Sequence, residues 1–238
     1  MSPLTRKLEH IENAKGSKKH MRAQIPSSAD AMLAQRTSST SRSASPASSD
    51  SIALKRFSTR GEYKLKDAVK AFSYDFRGKT VLDIGSSTGG FSEFALNSGA
   101  KKVIAVEKGT KQMKAPLRFD PRIELHEKTD IFEFNTEEEI DTILADVSFI
   151  SLTEVLLYAK EHFAISDTDF LVMLKPQFEA RPEQLVKGVV KNEKMRREII
   201  REFENFLKKN RFLVIKKRDN ILAGKNGNVE RFYLLKSL

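Results

Sequence analysis

The stretch Val81-Leu82-Asp83-Ile84-Gly85-Ser86-Ser87-Thr88-Gly89-Gly90 limits the fold more than any other feature. A short apolar strand pattern runs straight into a glycine-rich turn, and a helical pattern begins directly after it. Such a junction is the ligand-facing corner of an open α/β sheet, where ligands lie outside the carboxyl ends of the strands. The surrounding segments agree. The patterns predict a helix over residues 61–71, a strand over Thr80–Ile84, a helix over Gly90–Asn97 closed by Gly99, and strands at 103–106, 123–126 and 142–145. A helix over Leu152–His162, a buried strand at 170–174 stopped by Lys175-Pro176, and a charged helix over 192–209 follow. Two last strands at 212–216 and 229–235 are joined through Gly224, Gly227 and the Asn226-Gly227 pair. The expected fold is Rossmann-like α/β, with a mostly parallel sheet of about seven strands.

The turn also limits its ligand. Its glycines lack the G-x-G-x-x-G spacing that admits a pyrophosphate, and Asp83 would repel phosphate. A cationic ligand with an amino-acid end fits better, and S-adenosylmethionine carries a sulfonium and an α-ammonium. Asp83 is expected near the methionine part, with Gly85, Ser87, Thr88, Gly89 and Gly90 offering small side chains and bare backbone. Glu107 ends the second strand, 22 residues after Gly85, where an acidic residue holds ribose hydroxyls in Rossmann-like sites. By itself it would suit a solvated strand-end glutamate next to Lys108; combined with the turn, ligand binding is the favoured reading. Asp130 follows the third strand and could accept from the adenine amino group, or simply cap a turn.

Composition narrows the remaining choices. With no cysteine, the 238-residue chain has no disulfide framework and no thiolate chemistry, which suggests a reducing compartment and the cytoplasm by default. Its apolar runs are strand-sized, so no membrane role is expected and no metal cluster is evident. The net charge of +10 suggests a polyanionic partner, yet the first 60 residues hold 11 Lys/Arg against 4 Asp/Glu, leaving 31 against 28 in the rest. Residues 27–51 are a Ser/Thr/Ala/Pro run without apolar periodicity, expected to be disordered, and residues 4–22 suit a short basic helix or a targeting segment. The expected division is a basic, Ser-rich tail over 1–55 and one domain over 56–238.

Three polar residues fall at predicted strand ends: Asp146 after Ile143-Leu144-Ala145, Lys175 after Val172-Met173-Leu174, and Glu230 just inside the last strand. Each alone suits a strand terminus facing water; jointly they suggest a site. An ammonium at the end of an apolar strand loses hydration, which favours the neutral amine, whereas flanking carboxylates oppose this.

Five strings occur in order: Thr59-Arg60-Gly61-Glu62-Tyr63-Lys64-Leu65, the Asp83–Gly90 turn, Ala145-Asp146-Val147-Ser148-Phe149-Ile150-Ser151, Lys175-Pro176-Gln177-Phe178-Glu179 and Gly227-Asn228-Val229-Glu230. Over residues 56–238 the chain resembles the TlyA family of ribosomal RNA methyltransferases, within the FtsJ-like group. The resemblance implies S-adenosylmethionine as methyl donor, RNA (ribosomal RNA or a ribosomal subunit) as partner, and a Lys-Asp-Lys-Glu tetrad that falls on Lys64, Asp146, Lys175 and Glu230. In that chemistry a ribose 2′-hydroxyl attacks the sulfonium methyl group. Lys175 is then the expected base, Asp146 its orienting group, and Lys64 and Glu230 hold the ribose and its phosphate. The family commonly carries an N-terminal S4 domain, which the residues before Ile52 are too few to form, and commonly has glycine where Glu62 stands. Rival readings are a small-molecule methyltransferase, a non-catalytic RNA-binding factor and a haemolysin-like protein. The oligomeric state is not legible.

Overall fold

The computed structural model describes residues 59–224 and 227–238. The expectations for residues 1–55, including disorder, the basic helix and the domain boundary, lie outside the described residues, as do Lys225 and Asn226.

Seven strands form one sheet: β1 (Thr80–Ile84), β2 (Lys102–Glu107), β3 (Ile123–Glu127), β4 (Ile140–Ala145), β5 (Ala164–Leu174), β8 (Phe212–Asp219) and β9 (Arg231–Ser237). Their spatial order is β3-β2-β1-β4-β5-β9-β8. Strands β1 to β5 pair in parallel, while β9 runs antiparallel to both of its neighbours. Helices α1 (Arg60–Phe72) and α2 (Gly90–Asn97) cover one face, and α3 (Leu152–His162) and α5 (Glu193–Lys209) the other. This is the Rossmann-like α/β fold, with a mostly parallel seven-stranded sheet, that the sequence predicts.

Two apolar layers hold it together, and the strand period explains them. Along β5, Phe170, Val172 and Leu174 enter the layer with α3 and α5, while Leu171 and Met173 enter the layer with α1 and α2; all five are buried. A strand buried on both faces reads as an unbroken apolar run, so its core was legible and its ends were not. β5 begins at Ala164, not 170, because Ser166, Asp167, Thr168 and Asp169 hide the first part; Thr168 Oγ1 donates to the Ile140 carbonyl at 2.7 Å. β8 likewise continues through the charged Lys216, Lys217 and Arg218, as a sheet edge with exposed residues allows.

One correction bears on the site. Glu230 lies one residue before β9, not inside it, although its carbonyl still accepts from Asn220 N at 2.9 Å. The expected turn at Gly224 and Gly227 is present, with Gly227 N donating to the Gly224 carbonyl at 2.9 Å and Gly224 N to the Asn228 carbonyl at 2.6 Å. Pro176 opens a short helix α4 (Pro176–Glu179), since a proline lacks only a donor that a first helical turn leaves unpaired. After it comes a small hairpin, β6 (Leu185–Val186) with β7 (Val189–Val190), too short to show any alternation in sequence.

Candidate active site

The parallel register brings the candidate residues to one edge. Ile84 pairs with both Val106 and Ala145, so the ends of β1, β2 and β4 stand side by side. Gly85 turns away with φ +80, where side-chain-bearing residues are disfavoured, and a Cβ there would approach the Asp146 carbonyl at 3.3 Å. The turn and Asp146 are thus in direct contact. Gly89 and Gly90 serve packing as much as any ligand: a Cβ on Gly90 would overlap Thr59 Oγ1, the atom that caps α1 by accepting from Glu62 N.

Asp83 is fully buried beneath the turn. Its Oδ2 accepts from Ser92 Oγ at 2.6 Å, and its Oδ1 has no hydrogen-bond partner among the described residues. Burial pushes its carboxyl up to about 7; Ser92 opposes this, and the negative charges of Asp146 and Glu107 add to it. Glu107 accepts from Ser87 N at 2.8 Å, Gly109 N at 2.6 Å and Gln112 Nε2 at 3.2 Å. It is therefore a structured rim carboxylate, not a solvated one. Asp130 caps the turn at Ile131–Glu133 by accepting from Phe132 N, pairs with Lys108 at 2.7 Å, and still faces the cleft.

That cleft has a volume of about 580 Å³, within the range of small-ligand sites. Gly85, Ser87, Glu107, Asp130 and Asp146 line it, and a smaller hollow of about 120 Å³ continues through Gly85, Ser87 and Asp146 to Ser86, Thr88, Gly90 and Thr59. The wide part carries carboxylates suited to a ribose and an amino group. The narrow part is walled by the glycine-rich turn; Asp83 is fully buried and lines neither hollow, although sequence places it near the methionine part. The orphaned Asp83 Oδ1 and the acidic lining fit a cationic amino-acid nucleoside and disfavour a polyphosphate.

The tetrad residues assemble from four elements into two ion pairs. Lys64, buried on α1, pairs with the buried Glu230, and Asn220 Nδ2 supports Glu230 Oε2 at 3.1 Å. Lys175 Nζ lies 2.6 Å from Asp146 Oδ1, a charge contact off hydrogen-bond geometry, and donates to Ser148 Oγ at 2.8 Å. The pairs sense one another: burial raises the Asp146 carboxyl above the carboxylate range, Lys175 and Lys64 draw it down, and Glu230 raises it. Two ammonium and two carboxylate groups balance, so the cluster needs no counter-ion from solvent.

Four further residues carry the site without having been assigned a role from sequence. Ser148 receives Lys175. Phe149 is 90% exposed with φ +68, beside Phe178 at a ring separation of 5.2 Å, and lines the cleft. Glu179 caps α3, accepting from Leu152 N at 2.7 Å and Ser151 Oγ at 2.6 Å, which ties the string after β4 to the string after β5. The available signal was the pair of strings itself, since a phenylalanine between two serines in a strand-end loop has no core to enter.

Comparison with known proteins agrees with this geometry. The FtsJ-like methyltransferase family model matches residues 57–237. The chain is 37% identical over 177 residues to the Campylobacter jejuni 23S rRNA (cytidine-2′-O)-methyltransferase TlyA, covering 74% of this chain and 69% of that one. It is 35% identical over 183 residues to the Mycobacterium tuberculosis 16S/23S rRNA (cytidine-2′-O)-methyltransferase TlyA, covering 75% and 68%. A solved structure from Lactococcus lactis, labelled a hemolysin, superposes with TM-score 0.73 and 33% identity over 77% of this chain and 89% of that one. The chain spans about two thirds of the length of such curated relatives, 64% in the case of YqxC of Bacillus subtilis. No helix among the described residues is long and apolar enough to cross a membrane. The chain belongs to the FtsJ-like methyltransferase family.

Proposed function

We propose that this chain methylates a ribose 2′-hydroxyl of RNA, ribosomal RNA in particular, with S-adenosylmethionine as donor. The observation that carries the proposal is the charge-balanced cluster of Lys64, Asp146, Lys175 and Glu230 beside a cleft whose lining suits a cationic nucleoside. A small-molecule methyltransferase needs the cleft but has no use for two lysine–carboxylate pairs next to an exposed phenylalanine packed on a half-buried one.

S-adenosylmethionine, when bound, supplies a methyl group on a positively charged sulfur. Asp83 compensates the donor's positive charge, Glu107 accepts from ribose hydroxyls, and Asp130 accepts from the adenine amino group in exchange for Lys108. Lys175 takes the proton that the target hydroxyl loses, and it acts as base only in the neutral form. Asp146 and Ser148 fix the direction of its amine. Lys64, held by Glu230 inside the fold, contributes positive charge toward the sugar-phosphate of the target nucleotide. Alignment of this kind is worth several kcal/mol by itself. Phe149 and Phe178 offer faces on which an unpaired base can stack, and each stacked base is worth about 1–3 kcal/mol.

Phe149→Ala is therefore expected to raise the RNA KM by about tenfold or more, and to weaken donor binding less than that, since Phe149 also lines the cleft. Steady-state assays with tritiated donor and ribosomal RNA check it; an unchanged KM would remove the aromatic pair from the substrate site. The same assay tests the function itself. Tritium is expected in the RNA fraction and not in the small molecules of a metabolite extract, and the reverse would favour the rival class.

The proposal assigns donor binding and folding to residues 56–238. Deleting residues 1–50 is expected to leave the thermal transition and donor affinity at parent values, while RNA affinity and its salt dependence fall with the lost basic residues. Loss of the cooperative transition on truncation would contradict that division.

A further inference from the structure

The hairpin β6–β7 enters neither sheet layer, yet it stands against both tetrad strings. Val189 and Val190 line a hollow of about 160 Å³ together with Pro176, the residue after Lys175, and Val229, the residue before Glu230. The buried Asn228 fastens it: its Nδ2 donates to the Gly188 carbonyl and its Oδ1 accepts from Val190 N, both at 3.0 Å. A side chain two positions from Glu230 therefore holds the hairpin's tip.

The tip is Lys187-Gly188, with φ +51 and +79. Two central residues at positive φ make the two-residue turn favoured in hairpins, where Asn or Gly is the easy choice for the first position. A lysine there adopts a conformation that costs it free energy and would cost glycine none. Lys187 is exposed and makes no ion pair with any described residue, so neither packing nor charge pairing within the fold accounts for it. Lys111 and Lys128, which follow β2 and β3 on the same carboxyl edge of the sheet, repeat the pattern with φ +55 and +58, both exposed and without a described ion-pair partner. Of the acids on this rim, Glu127 and Asp130 are already paired with Arg118 and Lys108, and Glu107 is held by the Ser87 and Gly109 amides.

We propose that the β6–β7 hairpin is an RNA-backbone clamp: Lys187 contacts a phosphate of the strand next to the target nucleotide, and Asn228 is the positioning residue that keeps this contact in register with Glu230 and Lys175. The inference rests on the RNA-methyltransferase reading and names the element that docks its substrate. Local strain at a solvent-exposed cation is the kind of outlier from which a functional contact is inferred, and the ligand is phosphate because an ammonium point charge on a flexible stem binds phosphate without reading a base.

The test compares the full-length parent with Lys187→Gly, Lys187→Glu and, as a surface control before β2, Lys101→Glu. Lys187→Gly relieves the backbone conformation, so its melting temperature should match or exceed the parent's. Its affinity for total ribosomal RNA should nevertheless fall about three- to tenfold, with the salt slope of log K reduced by about one. Lys187→Glu should weaken RNA binding further, Lys101→Glu should leave the slope unchanged, and donor affinity should be unaltered in all three. Asn228→Ala should lower kcat at saturating RNA as well as raising KM, because it loosens the hairpin and the Glu230 loop together. Parent methylation of RNA with an unchanged KM and salt slope in Lys187→Gly would overturn the clamp alone. Absence of RNA binding by the parent would overturn the clamp and the functional reading together.

Discussion

Lys175→Met is expected to lower the single-turnover rate at saturating RNA by about 10²–10⁴-fold, the range of a lost general base. Methionine keeps the length and apolar stem of a residue that is largely buried at the end of β5, but it cannot accept a proton. Donor and RNA affinities should stay within a few-fold. Removal of the ammonium leaves Asp146 without its ion pair; because burial already raises that carboxyl, it answers by binding a proton and not by carrying an unpaired charge into the fold. The melting temperature of the variant should therefore fall only modestly near neutral pH. A phosphate contact would behave otherwise, with a raised RNA KM and near-parental turnover at saturation. Near-parental single-turnover rates would move the base elsewhere in the tetrad.

Asp83→Asn should separate stability from binding. The Asp83 carboxyl is pushed up to about 7 in the fold, against an ordinary value of 3.8. Between those values the unfolded chain releases a proton that the folded one keeps, so this group's contribution falls as pH rises from about 4 to about 7 and then levels. Above pH 7 the parent carries a penalty on the order of a few kcal/mol for this fully buried charge, and asparagine does not. The variant should melt higher than the parent at pH 8, with the difference closing near pH 4. Donor binding should move the other way. A cationic ligand favours the ionised carboxylate, so parental affinity should increase through pH 7 and plateau above it, whereas the variant should bind about 10–100-fold more weakly at pH 8 with little pH dependence. Calorimetry and thermal melts at pH 5 and pH 8 check both signs. A lower melting temperature at pH 8, or parental affinity, would remove Asp83 from the donor site.

These predictions rest on residues that differed in how far sequence revealed them. β1, the turn and α2 were legible to the residue, because an apolar run, glycines at positive φ and a closing Gly99 each demand one conformation. Asp146 and Lys175 were legible as polar stops after apolar strands. Lys64 was not, since a lysine on a helix that also carries Lys66 and Lys70 looks solvated until the fold sets it against Glu230, 166 residues away. It was found by resemblance alone. The hairpin after α4 escaped because two-residue strands have no period, and Asp130 resisted assignment because one carboxylate both caps a turn and lines the cleft. Charge in β5 and β8 hid strand residues at places where the ladders are irregular: the β4–β5 register shifts between Ile140 and Thr142, and the β8–β9 register between Val214 and Lys216, while the charged side chains face water or ion partners.

The central claim is that the methyl group goes to a ribose oxygen of RNA. Ribosomal RNA and ribosomal subunits incubated with the purified chain and isotopically labelled donor, then digested to nucleosides and resolved by mass, test it most directly. The account predicts label in a 2′-O-methylnucleoside, with the mass increment on the sugar, and no such product from Lys175→Met. Label on a base, or none in RNA while a small-molecule acceptor is methylated, would contradict it.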